Sequence, residues 1–247
     1  MWADLVDLVL PATCAGCGAP GSALCEPCAA AFAAATPAPV RPQPPLPGLP
    51  RCLALAAYAG ALQGAILAYK ERGRYALAGP LGDRLADVVR AGLRHPPAGG
   101  VLLLPVPATA RAARRRYGDH MVRLARRAAA RLRASGWAAG VASPLRALPR
   151  PDSAGLSRAE RVDLAVGRYA LVPRRLQAAR AAVAAGARPV LVDDVVTTGA
   201  TLAAAAQRLR GAGLDVPVAA VLAATQRRHG RDLVGNASAL NLSPNEG

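Results

Sequence analysis

Apolar positions along the chain fall into two alternating patterns. Leu53–Tyr58, Val101–Val106, Val190–Val192 and Val216–Leu222 are short continuous apolar runs bounded by Pro, Gly or charge, the form of strands buried on both faces. Between them, Leu62–Tyr69, Leu81–Leu93, Leu176–Ala185 and Thr201–Leu209 carry helical spacing, with Gly186, Gly211 and Gly213 as stops. Arg111–Leu132 reads as one long helix whose apolar stripe is Met121, Leu124, Ala128 and Leu132. Ser157 and Glu160 form a capping box, which predicts a helix from about Arg158. Strands alternating with helices predict an α/β fold: a parallel sheet flanked by helices on both faces.

The first fifty residues break this rhythm. Residues 1–35 carry four of the five cysteines, and 36–50 hold seven prolines in fifteen residues. Proline has no N–H to donate and restricts its predecessor, so 36–50 is expected as an extended linker. The divisions expected are a cysteine module over 1–35, the linker over 36–50, an α/β domain over 51–230 and a polar, aperiodic, loosely ordered tail over 231–247.

Pro189–Leu202 reads Pro-Val-Leu-Val-Asp-Asp-Val-Val-Thr-Thr-Gly-Ala-Thr-Leu. An apolar strand ends in two carboxylates, a hydroxyl-rich loop follows, and a helix begins. In open α/β sheets ligands sit at the carboxyl ends of strands. A helix start offers unpaired N–H groups and a positive dipole end, Thr197, Thr198 and Thr201 add hydroxyls, and Gly199 admits close backbone approach. That is a phosphate cradle. Asp193 and Asp194 would repel phosphate, so sugar hydroxyls or Mg²⁺ are their natural partners.

Every position of this stretch matches the phosphoribosyl pyrophosphate (PRPP) signature of the type I phosphoribosyltransferases, which it resembles. The resemblance implies that Asp193 and Asp194 hold ribose hydroxyls and that Val195, Val196, Thr197, Thr198, Gly199, Ala200 and Thr201 complete the PRPP loop, with Mg²⁺ accompanying the ligand. It also places Pro105, Val106, Pro107 and Arg111 at the pyrophosphate, where Arg114, Arg115 and Arg116 add positive charge or simply form a solvated helix face. Purine-salvage members carry an acid where Thr197 stands, so hypoxanthine and guanine are not expected substrates.

Cys14-x-x-Cys17-Gly18 and Cys25-x-x-Cys28 have the spacing of two zinc knuckles, and four thiolates would close a structural tetrahedron with no open position for catalysis. A redox pair and free thiols are the alternatives; a redox pair usually sits beside a βαβ unit, which this segment lacks. Cys52 reads as a buried small hydrophobe. Two cysteine pairs, a middle segment Arg116-Tyr117-Gly118-Asp119-His120, a later stretch in which Leu156, Ser157 and Arg161 match, and the PRPP loop together resemble the ComF family of competence-associated proteins. That implies a zinc-ribbon-like module on a phosphoribosyltransferase-like domain, and competence machinery as a partner.

Lys70 is the only lysine; with Arg158 and Arg161 it is a candidate for catalysis, and a surface position is the plainer reading for each. His95, His120 and His229 are isolated, and no chemistry is assigned to them. The net charge of +16 favours anionic partners, a phosphorylated metabolite first and single-stranded DNA as the alternative, against which the 3% aromatic content counts. Met1–Leu10 lacks a positive signal-peptide region and no apolar run has membrane length, so the expected location is cytoplasmic. The expected function is that of a phosphoribosyltransferase, with a PRPP sensor as the non-catalytic variant and DNA handling as the alternative function.

Overall fold

The computed structural model describes residues 13–115, 118–149 and 167–225. The apolar runs pair into a six-stranded sheet of order β1-β2-β8-β7-β3-β4, formed by β1 (Ala38–Val40), β2 (Arg51–Ala57), β3 (Val101–Pro105), β4 (Ala139–Val141), β7 (Arg188–Val196) and β8 (Val218–Ala224). All neighbours are parallel except β1, which runs antiparallel along β2. A separate antiparallel pair joins β5 (Leu145–Ala147) and β6 (Tyr169–Leu171).

Successive strand residues point to opposite faces, and each face has its own helices. Leu53, Leu103, Val190 and Val192 meet α2 (Gly60–Glu71), α3 (Ala78–Leu93) and α5 (His120–Ala134). Leu102, Leu191 and Val221 meet α6 (Pro173–Ala184), α7 (Ala200–Arg210) and the β5–β6 pair. The α/β architecture predicted from periodicity is the one observed.

Pro-rich segment 36–50 does more than span a gap. Its residues Ala38–Val40 form the sheet's edge strand, a place that tolerates proline because only one side must donate to a ladder. The cysteine segment is docked, too. Cys14, Ala15, Cys28 and Phe32, the last two on α1 (Glu26–Ala34), share one buried cluster with Ala61, Leu62 and Ala65 of α2. Gly64 permits that approach: a Cβ there would lie 2.5 Å from the carbonyl oxygen of Ala15.

The single helix expected over Arg111–Leu132 is two. α4 (Ala110–Arg115) ends before Gly118, whose φ of +129° no helix accommodates, and Asp119 restarts the chain as the N-cap of α5. Its Oδ1 accepts from the amides of Met121 (2.9 Å) and Val122 (3.4 Å). The expected stripe of Met121, Leu124, Ala128 and Leu132 is fully buried on α5. Asp119→Ala is expected to cost about 1–2 kcal/mol of stability, measured by urea unfolding, because it strips the cap from this helix. The helix expected from Arg158, the residues Arg158 and Arg161, and the tail 231–247 lie outside the described residues, as do Arg116 and Tyr117 and the side chain of Arg111.

Candidate functional site

Chain order places the site. From β3 the chain leaves to β4 on one side and returns to β7 on the other, so the carboxyl ends of β3 and β7 flank a topological switch point. There β7 ends at Val196, residues 197–199 turn, and α7 begins at Ala200. Gly199 caps α7 at φ +76°, and Ala203 makes the first helical bond back to its carbonyl, so the amides of Thr201 and Leu202 precede the ladder. Thr198 Oγ1 accepts from the Ala200 amide at 3.4 Å. Thr197, Ala200 and Thr201 are exposed, Thr198 is half-buried, and Val195 and Val196 carry the strand into the turn.

Gly199 itself is covered by the Pro-rich segment. A Cβ there would meet Leu49 at 3.0 Å and Pro42 at 3.3 Å. Gly199→Val is therefore expected to cost about 1–2 kcal/mol from the left-handed backbone alone, and more from the contact with Leu49; equilibrium urea unfolding reads it.

Asp193 and Asp194 occupy opposite environments. Asp194 Oδ2 is held by Lys70 Nζ at 2.7 Å and by His120 Nε2 at 3.1 Å. An ionised carboxylate only accepts, so Nε2 is the protonated nitrogen of His120, and Nδ1 is buried without a hydrogen-bond partner among the described residues. Burial alone would raise the Asp194 pKa; the His120 hydrogen bond and the Lys70 charge outweigh it and bring it down to about 2. Among the described residues no cation touches Asp193, and the Lys70 charge only partly offsets what raises it. Burial first, then the charge of Asp194, pushes it well above the usual carboxylate range, and its Oδ1 accepts from the Asp194 amide at 2.9 Å. Tyr169 of β6 lies on the Asp193 side, its phenol pushed up to about 12 by burial and by the Asp193 charge.

His120, to which the sequence assigned no chemistry, is thus in contact with the acid pair. Its place is set by its neighbours: the Tyr69 hydroxyl donates to its carbonyl at 2.9 Å, and Asp119 ties the start of α5 to the loop after β3 by accepting from Ala108 N at 3.1 Å. One signal in the sequence pointed here, the aligned segment around Asp119–His120. Lys70, on the last turn of α2 beside Tyr69, is 30% exposed and turned toward Asp194. At the end of β3 Pro105 is buried; in the loop that follows, Val106 is buried and Pro107 half-buried, and the Val106 amide donates to Val192 O at 3.0 Å.

At the amino end of the chain, the Sγ atoms of Cys14, Cys17, Cys25 and Cys28 lie within 4.8 Å of one another, with Cys17 and Cys25 at 3.6 Å. Sulfurs about 2.3 Å from a tetrahedral zinc would be roughly 3.8 Å apart, so the cluster is compatible with that ion. Gly18 at φ +81° makes the turn after the first pair, and the amides of Gly16 and Cys25 both point at Cys14 Sγ, each at 3.3 Å. Burial opposes ionisation of Cys14, but these amides and that of Cys17 prevail and lower the thiol to about 6. Burial raises Cys28. Cys52 is buried away from the cluster, and its Sγ donates to Pro50 O at 3.2 Å.

No described helix is long and apolar enough to cross a membrane. No curated protein matches the chain. Residues 123–236, which span α5 to β8 and include the acid pair and the loop, match the family model of the phosphoribosyl transferase domain. Over that stretch the chain, with its mostly parallel sheet flanked by helices and a four-cysteine cluster at the start, is similar to the phosphoribosyl transferase domain.

Proposed function

We propose that the chain binds PRPP, or another ribose 5-phosphate, at the carboxyl ends of β3 and β7 and acts as a phosphoribosyltransferase. The observation that carries this is the strand–loop–helix at Asp193–Thr201: exposed hydroxyls and a helix start adjoin two acids at a switch point of the sheet. The 5-phosphate would lie against the Thr201 and Leu202 amides and the hydroxyls of Thr197, Thr198 and Thr201. The ribose hydroxyls would face the acid pair. Asp194 is the better acceptor of the two, because Lys70 and His120 keep it ionised.

In transfer, the C1–oxygen bond to pyrophosphate breaks as an acceptor lone pair bonds to C1. Positive charge builds on the sugar and negative charge on the leaving group; an ionised Asp194 favours the first, and Lys70 with the arginines after β3 favours the second. Among the described residues the cysteine cluster is the sole group of three or more metal-ligating side chains, and Asp193 and Asp194 are buried and hydrogen-bonded. Mg²⁺ is expected to arrive on the pyrophosphate, with the ribose hydroxyls facing the acid pair. The cysteine cluster is proposed as a structural zinc site. Its pairing with this domain supports assignment to the ComF family and, with it, a cytoplasmic role in competence.

Calorimetric titration with Mg·PRPP tests the reading. Saturable binding below millimolar, weakened at least tenfold by Gly199→Val, is expected; no heat of binding at millimolar ligand would end it. Release of pyrophosphate on adding candidate acceptors separates a transferase from a sensor. Exposed Arg126, Arg131 and Arg133 on α5 favour a second reading, retention of single-stranded DNA at low salt. Absence of retention at low ionic strength would dismiss it.

A further inference from the structure

The opposite end of the same sheet carries a second basic feature. At the amino ends of β2, β7 and β8 a cavity of about 370 Å³ opens beneath the carboxyl end of α3. Arg51, Arg188 and His95 line it, with no Asp or Glu among the lining residues.

The convergence follows from register. Arg51 pairs with Val218, and Val218 with Val190. Arg188 precedes Val190 by two residues, so both arginines belong to the face that carries Leu53, Val190 and Val218. Only β8 separates their strands, which sets the two backbones about 9.5 Å apart, within reach of two arginine side chains. The Arg51 guanidinium is held by the Gly92 carbonyl, so it also neutralises the negative end of α3. Neither arginine has a carboxylate partner among the described residues, and Arg51, His95 and Arg188 are all exposed. The remaining walls include Pro97, Pro189 and Pro217, whose rings fix the shape of the opening. Beside it, Arg94 closes α3 at φ +67°, a costly conformation for a residue with a side chain.

We propose that this cavity is a second anion site, one that takes the phosphate of a small phosphomonoester between Arg51 and Arg188. A concave opening walled by one sign of charge concentrates counter-ions, and guanidinium forks match phosphate oxygens. The proposal stands independently of the loop at Asp193–Thr201, which lies at the other end of the strands.

Titrating the ¹⁵N-labelled full chain with inorganic phosphate, then with glycerol 3-phosphate, resolves the two ends by residue. Saturable shifts at Arg51, His95 and Val218 are expected, at least tenfold weaker in Arg188→Glu, with signals from residues 197–202 reporting the loop separately. Binding of glycerol 3-phosphate at least as tight as that of inorganic phosphate supports a phosphomonoester ligand; binding of inorganic phosphate alone overturns it. Shifts confined to the loop, or an Arg188→Glu response equal to that of the unaltered chain, would overturn the proposal. If Arg188→Glu fails to fold, His95→Ala carries the same comparison with a threefold weakening expected, and no weakening overturns it.

Discussion

Replacing two adjacent aspartates by asparagine is expected to move stability in opposite directions. Asp194→Asn should destabilise the fold at pH 7 by about 2 kcal/mol, since a carboxyl lowered from 3.8 to about 2 contributes roughly that much when ionised. The change leaves Lys70 facing a neutral amide, and Lys70 is exposed enough to swing toward water, which keeps the loss from growing. Asp193→Asn should stabilise at the same pH. Asparagine is neutral in both states, so the variant escapes the cost of keeping a buried carboxyl un-ionised that the unfolded chain would ionise, while its side-chain oxygen still accepts from the Asp194 amide. The pH profiles follow with opposite signs. The folded pKa of Asp194 is depressed, so its contribution is present above about 4 and is lost as pH falls toward 2. The folded pKa of Asp193 is raised, so the stability of its neutral form is present at low pH and erodes as pH rises through that value. Urea unfolding of the two variants from pH 3 to 8 measures both effects; equal signs for the two would contradict the assigned environments. Both variants should also lose PRPP binding by at least tenfold. A residue that weakens the fold yet serves the ligand is the expected signature of a site.

The second large effect belongs to the cysteines. Purified chain is expected to hold about one zinc, and Cys28→Ser or exhaustive chelation should lower the melting temperature by roughly 10 °C, on the scale set by structural zinc in small modules. Cys28 is fully buried, its sulfur lies 2.8 Å from where a Cβ on Gly16 would be, and α1 and the knuckle share the cluster that covers α2. Loosening the module therefore exposes Ala61, Leu62 and Ala65 of α2, the helix that ends in Lys70. Loss of metal should weaken ligand binding as well as the fold. Cys52→Ala, outside the cluster, should leave zinc content unchanged. A chain without zinc, or one whose melting point ignores chelation, would refute the assignment.

Local signals in the sequence carry much of this molecule. A buried parallel strand is a short apolar run and a helix is a stripe, so the alternation along 51–224 determined an α/β sheet with helices on both faces. The turn from Val196 through Gly199 into α7 is written in a continuous stretch of residues, as are the two cysteine pairs. What depended on distant partners was hidden. Ala38–Val40 is a strand only because β2 offers it a ladder. The break at Gly118 was masked because the Ala- and Arg-rich helical pattern runs across it, and the hydrogen bonds from Met121 and Val122 to Asp119 decide where the second helix begins. Lys70, His120 and Asp194 stand 50 and 74 residues apart in the chain, yet Lys70 Nζ and His120 Nε2 both lie within 3.1 Å of Asp194 Oδ2. Sequence alone determined that two acids end a strand above a helix start. Only the tertiary structure decided which of them would meet a cation, because strand pleating sends neighbours to opposite faces and the helices packed there supply the charge.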